Sequence, residues 1–235
     1  MKQILKNHPF FKNKKILSVK RFKEQGFNNI HFKVETPNQN YMLREFKLQG
    51  VDRELEFKVQ RMAYQLKLAP KAYFLDAPNH IMLSAYVKGK HLFDLKKKEL
   101  QSLAKMLSKL HTLSIEAKPY DLESAINVKT KKVKHALRIL KKEPKEWVLC
   151  HHDLNPKNII FIKKNIQLID WEFAGMNDRY FDLASVCVEY KLSQKQQRVF
   201  LKKYLGKEKP NAKKLKAYKV LYQALCKEWF EKNLK

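Results

Sequence analysis

The chain has 235 residues, of which 44% are hydrophobic, and its 50 basic residues against 23 acidic ones give a formal net charge of +27. The hydrophobic fraction is sufficient for a buried core, which excludes an intrinsically disordered chain. No apolar run approaches the roughly 20 residues of a bilayer span, the first residues show no signal-peptide pattern, and the three widely spaced cysteines argue against a disulfide framework, so we expect a cytoplasmic protein without a membrane span.

The first part of the chain predicts a sheet with one helix. Turn residues at 25–28 and 37–40 separate three runs that are typical of strands. Apolar residues then recur with a helical period until Pro70, and two more strand-like runs follow. The sequence thus predicts a five-stranded antiparallel sheet with a helix between its third and fourth strands. The predicted strands cover residues 16–22, 29–36, 41–48, 71–76 and 80–87, and the predicted helix covers residues 51–67.

From Lys88 onward the pattern is mainly helical, with apolar residues on one face of each predicted helix. These helices are predicted near 100–113, 129–142, 181–190, 194–204 and 212–233, with a tight hairpin over 158–170. We therefore expect an α+β fold in which an N-terminal lobe with the sheet, residues 1–87, meets a mainly helical lobe, residues 88–235, at a hinge near Ser84–Lys90.

One loop carries the residue types that phosphoryl transfer needs. The stretch "LCHHDLNPKN" places Asp153 five residues before Asn158, and Asp170 follows the hairpin in "LIDWEFA". In the protein-kinase pattern an Asp orients the attacking hydroxyl, while an Asn five residues later and an Asp after a strand hold Mg²⁺. Carboxylate and amide oxygens suit Mg²⁺ and not zinc. The three residues therefore predict a two-lobed, protein-kinase-like fold, against the plainer interpretation that such residues merely form turns.

Candidates for phosphate binding lie upstream of this loop. Arg44 is in the third predicted strand, and Glu54 and Glu56 are in the helix after it. A strand cation paired with a helix carboxylate would hold the nucleotide phosphates, and the residues alone leave the choice between the two glutamates open. The turn between the first two strands adds three candidates that would lie over the phosphates: Gly26, Asn28 and Asn29. These candidates make residues 1–87 the predicted nucleotide-binding lobe.

Two long motifs, "CHHDLNPKN" and "LIDWEFAGMNDRYFDLA", resemble the catalytic loop and metal-binding segment of the aminoglycoside phosphotransferase and choline kinase superfamily. Within it they are most similar to choline and ethanolamine kinases, including the bacterial choline kinases. "VDRELEFKVQRMAYQLKLAP" is similar to the helix of that family and the Ala-Pro after it. The resemblance covers roughly residues 20–190 and implies ATP and Mg²⁺ as cofactors.

The resemblance implies a role for each matching residue of the catalytic loop. Asp153 would be the catalytic base, and Asn158 and Asp170 would be the Mg²⁺ ligands. His151 and Asp182 would be structural, and His152 stands where these enzymes usually have Asn or Gly.

For the nucleotide, the resemblance implies that Arg44 contacts the ATP phosphates, with Glu56, more than Glu54, as its partner. The backbone of the hinge would meet the adenine, at Ser84, Ala85, Tyr86 and Val87.

An acidic segment suggests a cationic acceptor. Residues 170–190 contain five acidic residues and one basic residue, which is unexpected in so basic a chain. Carboxylates beside aromatic rings suit an amine or a quaternary ammonium, although a solvated loop would also explain them. Glu172 and Glu189, with Phe173, are therefore predicted to bind substrate, and Glu189 and Phe173 also match the choline pocket of the family.

The last helix departs from the family pattern. Choline kinases usually close the cation site with an aromatic pair, and here Tyr222 fits the first aromatic position, while Leu225 or Cys226 falls at the second. This departure keeps ethanolamine, thiamine or another amino alcohol open beside choline as the acceptor, and the acidic segment would also suit polycationic aminoglycosides.

The high positive charge suggests a different class of function, the binding of nucleic acid. Only seven of the 50 basic residues are arginine, and the lysines are spread along the chain, whereas nucleic-acid readers concentrate charge on one face and favour arginine. We interpret the lysines as a solvated surface that attracts anions, and expect no specific nucleic acid as a partner; a kinase-like nucleic-acid-binding protein is the alternative. The expected partner is a small amino alcohol, and the oligomeric state stays open.

Overall fold

The structure is a computed structural model that describes residues 1–23, 26, 28–163 and 165–233. Two residues of the first predicted turn, Gln25 and Phe27, lie outside the described residues, and so does Lys164 of the predicted hairpin.

Five antiparallel strands form the N-terminal sheet, in the order β1-β2-β3-β5-β4, so the predicted sheet is confirmed. The central strand, β3, pairs Arg44 with His31 on one side and with Met82 on the other, which fixes the position of Arg44 from both sides. The strands are Ser18–Arg21 (β1), Asn29–Glu35 (β2), Asn40–Phe46 (β3), Ala72–Asp76 (β4) and Ile81–Ala85 (β5).

A short N-terminal segment that the sequence pattern did not reveal covers the outer face of this sheet. It consists of the helix α1, Lys2–Asn7, and a 3₁₀ turn, Pro9–Phe11. Leu5 and Phe11 pack there in a small core with Leu43 of β3. The segment therefore gives the sheet a second buried face.

The helix α2, Arg53–Gln65, lies between β3 and β4 as predicted. Asp52 caps its N-terminus by accepting a hydrogen bond from the Leu55 N–H at 2.9 Å. Because Val59 and Ala63 are fully buried on one face, the orientation of the helix is fixed by packing.

The second part of the chain is mainly helical, as predicted. It also contains two pairs of short antiparallel strands, β6 with β9 and β7 with β8. The helices are α3 (Lys97–Leu110), α4 (Leu122–Ala125), α5 (Lys131–Lys142), α6 (Tyr180–Glu189), α7 (Gln194–Leu205) and α8 (Ala212–Asn233). The strands are β6 (Trp147–Cys150), β7 (Ile159–Ile162), β8 (Asn165–Leu168) and β9 (Gly175–Asp178).

One hydrophobic core runs from α2 into the helical part. It includes Val59 and Ala63 of α2 together with Leu103 and Leu107 of α3. Beside it, the Leu168 N–H donates to the Leu68 carbonyl at 2.7 Å. The regions predicted as two lobes are therefore joined by shared apolar packing and by this backbone hydrogen bond.

The link after the sheet lies directly against the hairpin. Lys90 and Phe161 exchange two backbone hydrogen bonds, at 3.0 and 2.8 Å. A Cβ added to Gly89 would clash with the Ile160 side chain and would lie 2.8 Å from the Phe161 carbonyl oxygen. Only glycine allows so close an approach at this point.

The C-terminal helix α8 is anchored by a buried lysine. The Lys214 Nζ lies 2.7 Å from Asp178 Oδ2 and 2.8 Å from the Pro144 carbonyl oxygen. This ion pair fixes α8 to the end of β9. Among the helices that the structure describes, none combines the length and the apolar character that crossing a bilayer requires.

Candidate active site

The loop after β6 holds the carboxylate of Asp153 between two amides. Asn155 Nδ2 donates to one of its oxygens at 2.8 Å, and Asn158 Nδ2 donates to the other at 2.6 Å. Burial raises the pKa of Asp153, the hydrogen bond from Asn155 opposes the shift, and the charge of Glu189 adds to it. The arrangement fixes the orientation of a carboxylate that accepts a proton more readily than an exposed one.

The hairpin β7–β8 brings Asp170 back to this loop. The Ile169 N–H donates to the Asn158 carbonyl at 3.0 Å, and Asp170 itself has a left-handed backbone, with φ of 64°. Arg44 donates to Asp170 Oδ1 at 2.6 Å. Burial raises the pKa of Asp170, Arg44 counters this, and the carboxylates of Glu172, Glu56 and Asp153 raise it further. The three residues that sequence spacing grouped together therefore lie in one place.

His151 and Asp182 form a support beneath the loop. Asp182 accepts hydrogen bonds from the backbone N–H groups of His151 and His152, at 2.8 and 3.1 Å, and its Oδ2 lies 3.2 Å from His111 Nε2. Burial alone would raise the pKa of Asp182, but the contact with His111 and the loop hydrogen bonds lower it. The buried carboxylate thus stays ionised and holds the loop backbone.

His151 bridges the catalytic loop and the end of the hairpin. Its Nε2 lies 3.0 Å from the Ile169 carbonyl oxygen, and its Nδ1 accepts from the Asp153 N–H at 3.3 Å. Because a carbonyl oxygen can only accept, the proton is on Nε2. Burial lowers the pKa of His151 to about 4, so the ring is neutral at neutral pH.

His152 makes a second bridge, which the sequence did not reveal. It has a left-handed backbone, with φ of 68°. Its Nδ1 lies 2.7 Å from the Phe173 carbonyl oxygen, and its Nε2 accepts from Asn177 Nδ2 at 2.9 Å. The ring thereby connects the catalytic loop to the segment after Asp170 and to β9.

Arg44 pairs with Glu56 and not with Glu54, whose side chain is exposed. The second oxygen of Glu56 accepts from Arg53 at 2.7 Å. Arg53 was not among the predicted site residues. Its spacing of three residues from Glu56 on α2 places the two side chains on one face of the helix, and this spacing is the signal that could have identified it.

Glu172 was predicted to bind the acceptor, but its hydrogen bonds are to residues of the sheet part of the chain. Its Oε1 accepts from Asn28 at 2.6 Å, and its Oε2 accepts from Asn29 and Arg53, both at 3.1 Å. The side chain is 2% exposed and contacts the sheet side of the site, where the phosphate-binding candidates lie. Its aromatic neighbour in the chain explains the difference, because buried Trp171 fixes the segment in the core.

The hinge candidates follow the end of β5. Ser84 and Ala85 lie in the strand, where Ala85 pairs with Tyr41, and the Tyr86 N–H donates to the Asn40 carbonyl at 3.2 Å. The ring of Tyr86 stacks on Phe22 with a centroid distance of 6.5 Å. Val87 follows Tyr86 and is half-buried. Gly26, a candidate for phosphate binding, is exposed and precedes β2, at the end of that strand away from Tyr86.

Glu189 and Tyr222 meet near Asp153. The Tyr222 hydroxyl donates to Glu189 Oε1 at 2.8 Å. Burial raises the pKa of the Cys226 thiol to about 11, with Glu189 and Asp153 adding to the shift, so this small side chain lies in the same group. Phe173 is partly exposed. The pair therefore leaves a carboxylate near the catalytic loop, with the Cys226 thiol beside it.

The donor set of this site fits a hard divalent cation. Asn158 and Asp170 offer amide and carboxylate oxygens, which Mg²⁺ prefers. Burial raises the pKa of Asp170 against the opposing charge of Arg44, and the carboxylates of Glu172, Glu56 and Asp153 raise it further; a cation bound at Asp170 would offset the charge of these carboxylates.

Comparison with known proteins gives a family and a fold. The family model described as "Phosphotransferase enzyme family" matches residues 19–218. Protein LicA of Haemophilus influenzae is 39% identical over 62 residues, which make up 26% of this chain and 23% of that protein. The chain spans less than a third of the length of each curated relative that it matches.

Solved structures match over nearly the whole chain. The crystal structure of choline kinase LicA from Streptococcus pneumoniae has a TM-score of 0.78 and 25% identity, and the match covers 97% of this chain and 89% of that one. A crystal structure of LicA in complex with AMP has a TM-score of 0.71 and 23% identity, covering 97% and 86% of the two chains. These findings confirm the kinase-like fold and the resemblance of the two sequence motifs.

Proposed function

Because the chain belongs to the phosphotransferase enzyme family, we propose that it transfers the γ-phosphoryl group of ATP to the hydroxyl of a small amino alcohol, with choline as the first candidate. The observation that carries the proposal is the meeting of Asp153, Asn158 and Asp170 beside the Arg44–Glu56 pair. Fold alone would not support an activity, but this set of groups has the types and the placement that the reaction needs.

Asp153 is the proposed catalytic base. Its two oxygens are oriented by Asn155 and Asn158, so a hydroxyl that enters from the side of Glu189 meets a fixed acceptor for its hydrogen bond. The raised pKa of Asp153, caused by burial, favours uptake of the proton as the hydroxyl attacks phosphorus.

Arg44 is the proposed phosphate contact, held by Glu56 on one side. Arg44 also donates to Asp170 at 2.6 Å, and its five N–H groups leave donors for a phosphate oxygen beside these two carboxylates. The adenine is proposed to meet the backbone at Ser84–Val87. The complex of LicA with AMP supports a nucleotide as the donor.

Asn158 and Asp170 would hold Mg²⁺, which when bound neutralises charge on the nucleotide phosphates. The chain itself supplies the orientation of both residues, through Asn158–Asp153 hydrogen bonds and the hairpin that ends at Asp170.

Glu189 is the proposed contact for the cationic end of the acceptor. Its carboxylate is oriented by the hydroxyl of Tyr222. Phe173, proposed as a contact for the same acceptor, is an exposed ring in the segment that His152 holds. A cation gains both charge pairing and contact with a ring at such a place. The match to choline kinase LicA supports choline.

Ethanolamine is the second candidate, and Cys226 is the observation that favours it. A thiol near Glu189 and Tyr222 supplies no aromatic face for a quaternary ammonium, whereas a primary ammonium can donate hydrogen bonds to the carboxylate.

The test is an ADP-release assay with Mg·ATP on choline, ethanolamine, thiamine and an aminoglycoside. Asp153→Asn should lower kcat by about 10²- to 10⁴-fold, the usual contribution of general base catalysis. Asp94→Asn, at an exposed position, is the matched control and should keep full activity.

Glu189→Gln identifies the acceptor side in the same assay, because it should raise KM for the amino alcohol and leave KM for ATP near the wild-type value. Turnover with none of the four acceptors, together with absent ATP binding, would contradict the proposed function.

A further inference from the structure

We propose that Arg53 is a positioning residue for phosphoryl transfer, which ties α2 to Glu172 and so holds the segment Asp170–Glu172 in place. The proposal rests on the proposed function and adds to it a residue that neither the motifs nor the comparisons single out.

The guanidinium of Arg53 is enclosed by contacts. Its Nη1 lies 2.7 Å from Glu56 Oε2 and 3.1 Å from Glu172 Oε2, and its Nη2 donates to the Leu48 carbonyl at 3.2 Å. Its Cζ lies 4.1 Å from the centre of the Phe46 ring. With 11% of the side chain exposed, Arg53 serves these groups and is not a free surface cation.

Both carboxylate oxygens of Glu172 accept hydrogen bonds. Asn28 donates to its Oε1, while Asn29 and Arg53 donate to its Oε2. Removing Arg53 would therefore leave two buried carboxylates, Glu172 and Glu56, that face each other with less compensating charge. Such an uncompensated charge in a buried pair is destabilising.

The contacts close into a ring. Glu56 accepts from both arginines, Arg44 donates to Asp170, and Arg53 donates to Glu172, two residues further along the chain. The segment is thus held at both ends by one helix carboxylate acting through two guanidinium groups. Asp170 needs this support because its left-handed backbone is unfavourable for a non-glycine residue.

Loss of Arg53 would change the geometry of the reacting groups. If the ring opens at Arg53, Glu172 keeps only its hydrogen bonds to Asn28 and Asn29, and Asp170 is held less firmly relative to Asp153. A displacement of about 1 Å in a reacting geometry can cost on the order of a hundredfold in rate. Arg53 therefore acts through Glu172, and its loss should appear in kcat.

Steady-state kinetics test the role. Arg53→Met should lower kcat by about 10- to 100-fold, with KM for ATP changed by less than about threefold, because a misplaced segment slows the transfer and leaves the nucleotide contacts of Arg44. Arg53→Lys keeps the charge without the fork and should recover part of the loss. Arg61→Met, at an exposed position on the same helix, is the matched control and should behave as wild type.

A double-mutant cycle separates this role from a general loss of stability. Glu172→Gln should lower kcat to a similar extent, and the double variant with Arg53→Met should be little worse than either single one, because both open the same contact. Additive losses would overturn the proposal. So would a raised KM for ATP at unchanged kcat, which would show a direct contact of Arg53 with phosphate.

Hydrogen exchange of the nucleotide-free protein reads the contact without any turnover. Arg53→Met should speed exchange in the peptide that contains Asp170 and Glu172, and Arg61→Met should not. If the wild-type protein turns over none of the acceptors, faster exchange still supports the contact while the proposed function fails. Unchanged exchange, with an active wild-type enzyme, overturns the role of Arg53 alone.

Discussion

Two neighbouring histidines have opposite tautomers in the catalytic loop. His151 has its proton on Nε2, which points at the Ile169 carbonyl, and His152 has its proton on Nδ1, which points at the Phe173 carbonyl. Each ring accepts a hydrogen bond on its other nitrogen. A protonated ring could not accept there, so both bridges require neutral imidazole.

We predict that ¹⁵N NMR of the histidine side chains will show the Nε2–H tautomer for His151 and the Nδ1–H tautomer for His152 at neutral pH. Burial lowers both pKa values, that of His151 to about 4. A folded-state pKa below the unfolded value of about 6.5 means that the unfolded chain binds the proton first, so both groups lower the free energy of unfolding as the pH falls below about 6.5, and for His151 this continues toward about pH 4. Titration of either ring near pH 6.5 in the folded protein would contradict this result.

Spacing alone predicted where Asp153, Asn158 and Asp170 meet, because a tight hairpin between the last two leaves little choice of geometry. The placement of Glu172 was not predictable in the same way. Its position depends on Arg53, Asn28 and Asn29, which are more than a hundred residues away in the chain and have no shared pattern with it. Long-range polar contacts of this kind follow from the fold and not from the local sequence.

At the level of elements, the link after β5 and the hairpin β7–β8 act as one unit. Two backbone hydrogen bonds join Lys90 to Phe161, and His91 Nδ1 lies 3.1 Å from the Ile159 carbonyl oxygen. The proposed adenine contacts lie directly before this junction, and the catalytic loop lies directly before the hairpin. The two halves of the site are thus connected by a few backbone contacts.

Gly89→Ala should destabilise the protein by about 1–3 kcal/mol, the usual cost of forcing extra atoms into a packed place. The added methyl group meets the Ile160 side chain and the Phe161 carbonyl, and the carbonyl belongs to the backbone and cannot turn away. The free energy of unfolding in urea measures the effect.

Gly175→Ala is the control for the Gly89 variant, since its nearest new contact, at 3.7 Å, is ordinary van der Waals contact. Equal stability of the two variants would show that the junction has room for a side chain.

The long elements could be predicted because their periodicity is strong, as in α3 and the strands of the sheet. The pair β6–β9 could not. Each strand has four residues, β9 has the sequence "GMND" without apolar alternation, and the partners lie far apart in the chain. The helix α1 was missed for a related reason, since its six residues bury only Leu5.

For the whole molecule, the continuous core matters more than the division into lobes. Apolar residues of α2 pack in the same cluster as those of α3, and the ring of charges around Arg53 joins the same helix to the segment after the hairpin. The regions 1–87 and 88–235 therefore share both apolar and polar contacts.

We predict one cooperative thermal transition, with calorimetric and van't Hoff enthalpies that agree. The shared core couples the unfolding of the sheet to that of the helices. Calorimetry of the full chain is the measurement, and Mg·ATP should shift the whole transition upward because it binds only the folded state. Two resolved transitions in the absence of nucleotide would show that the lobes unfold separately.

The anchor of α8 separates the contacts proposed for the acceptor from the support of the catalytic loop. Lys214 fixes the start of the helix to Asp178, while Tyr222 and Cys226 lie about 12–18 Å further along it, at 1.5 Å per residue. Under the proposed roles, a replacement at the far end alters the acceptor contacts without loosening β9, whose Asn177 supports the catalytic loop. Acceptor preference can therefore diverge during evolution along this one helix, while the chemistry of the transfer is inherited unchanged.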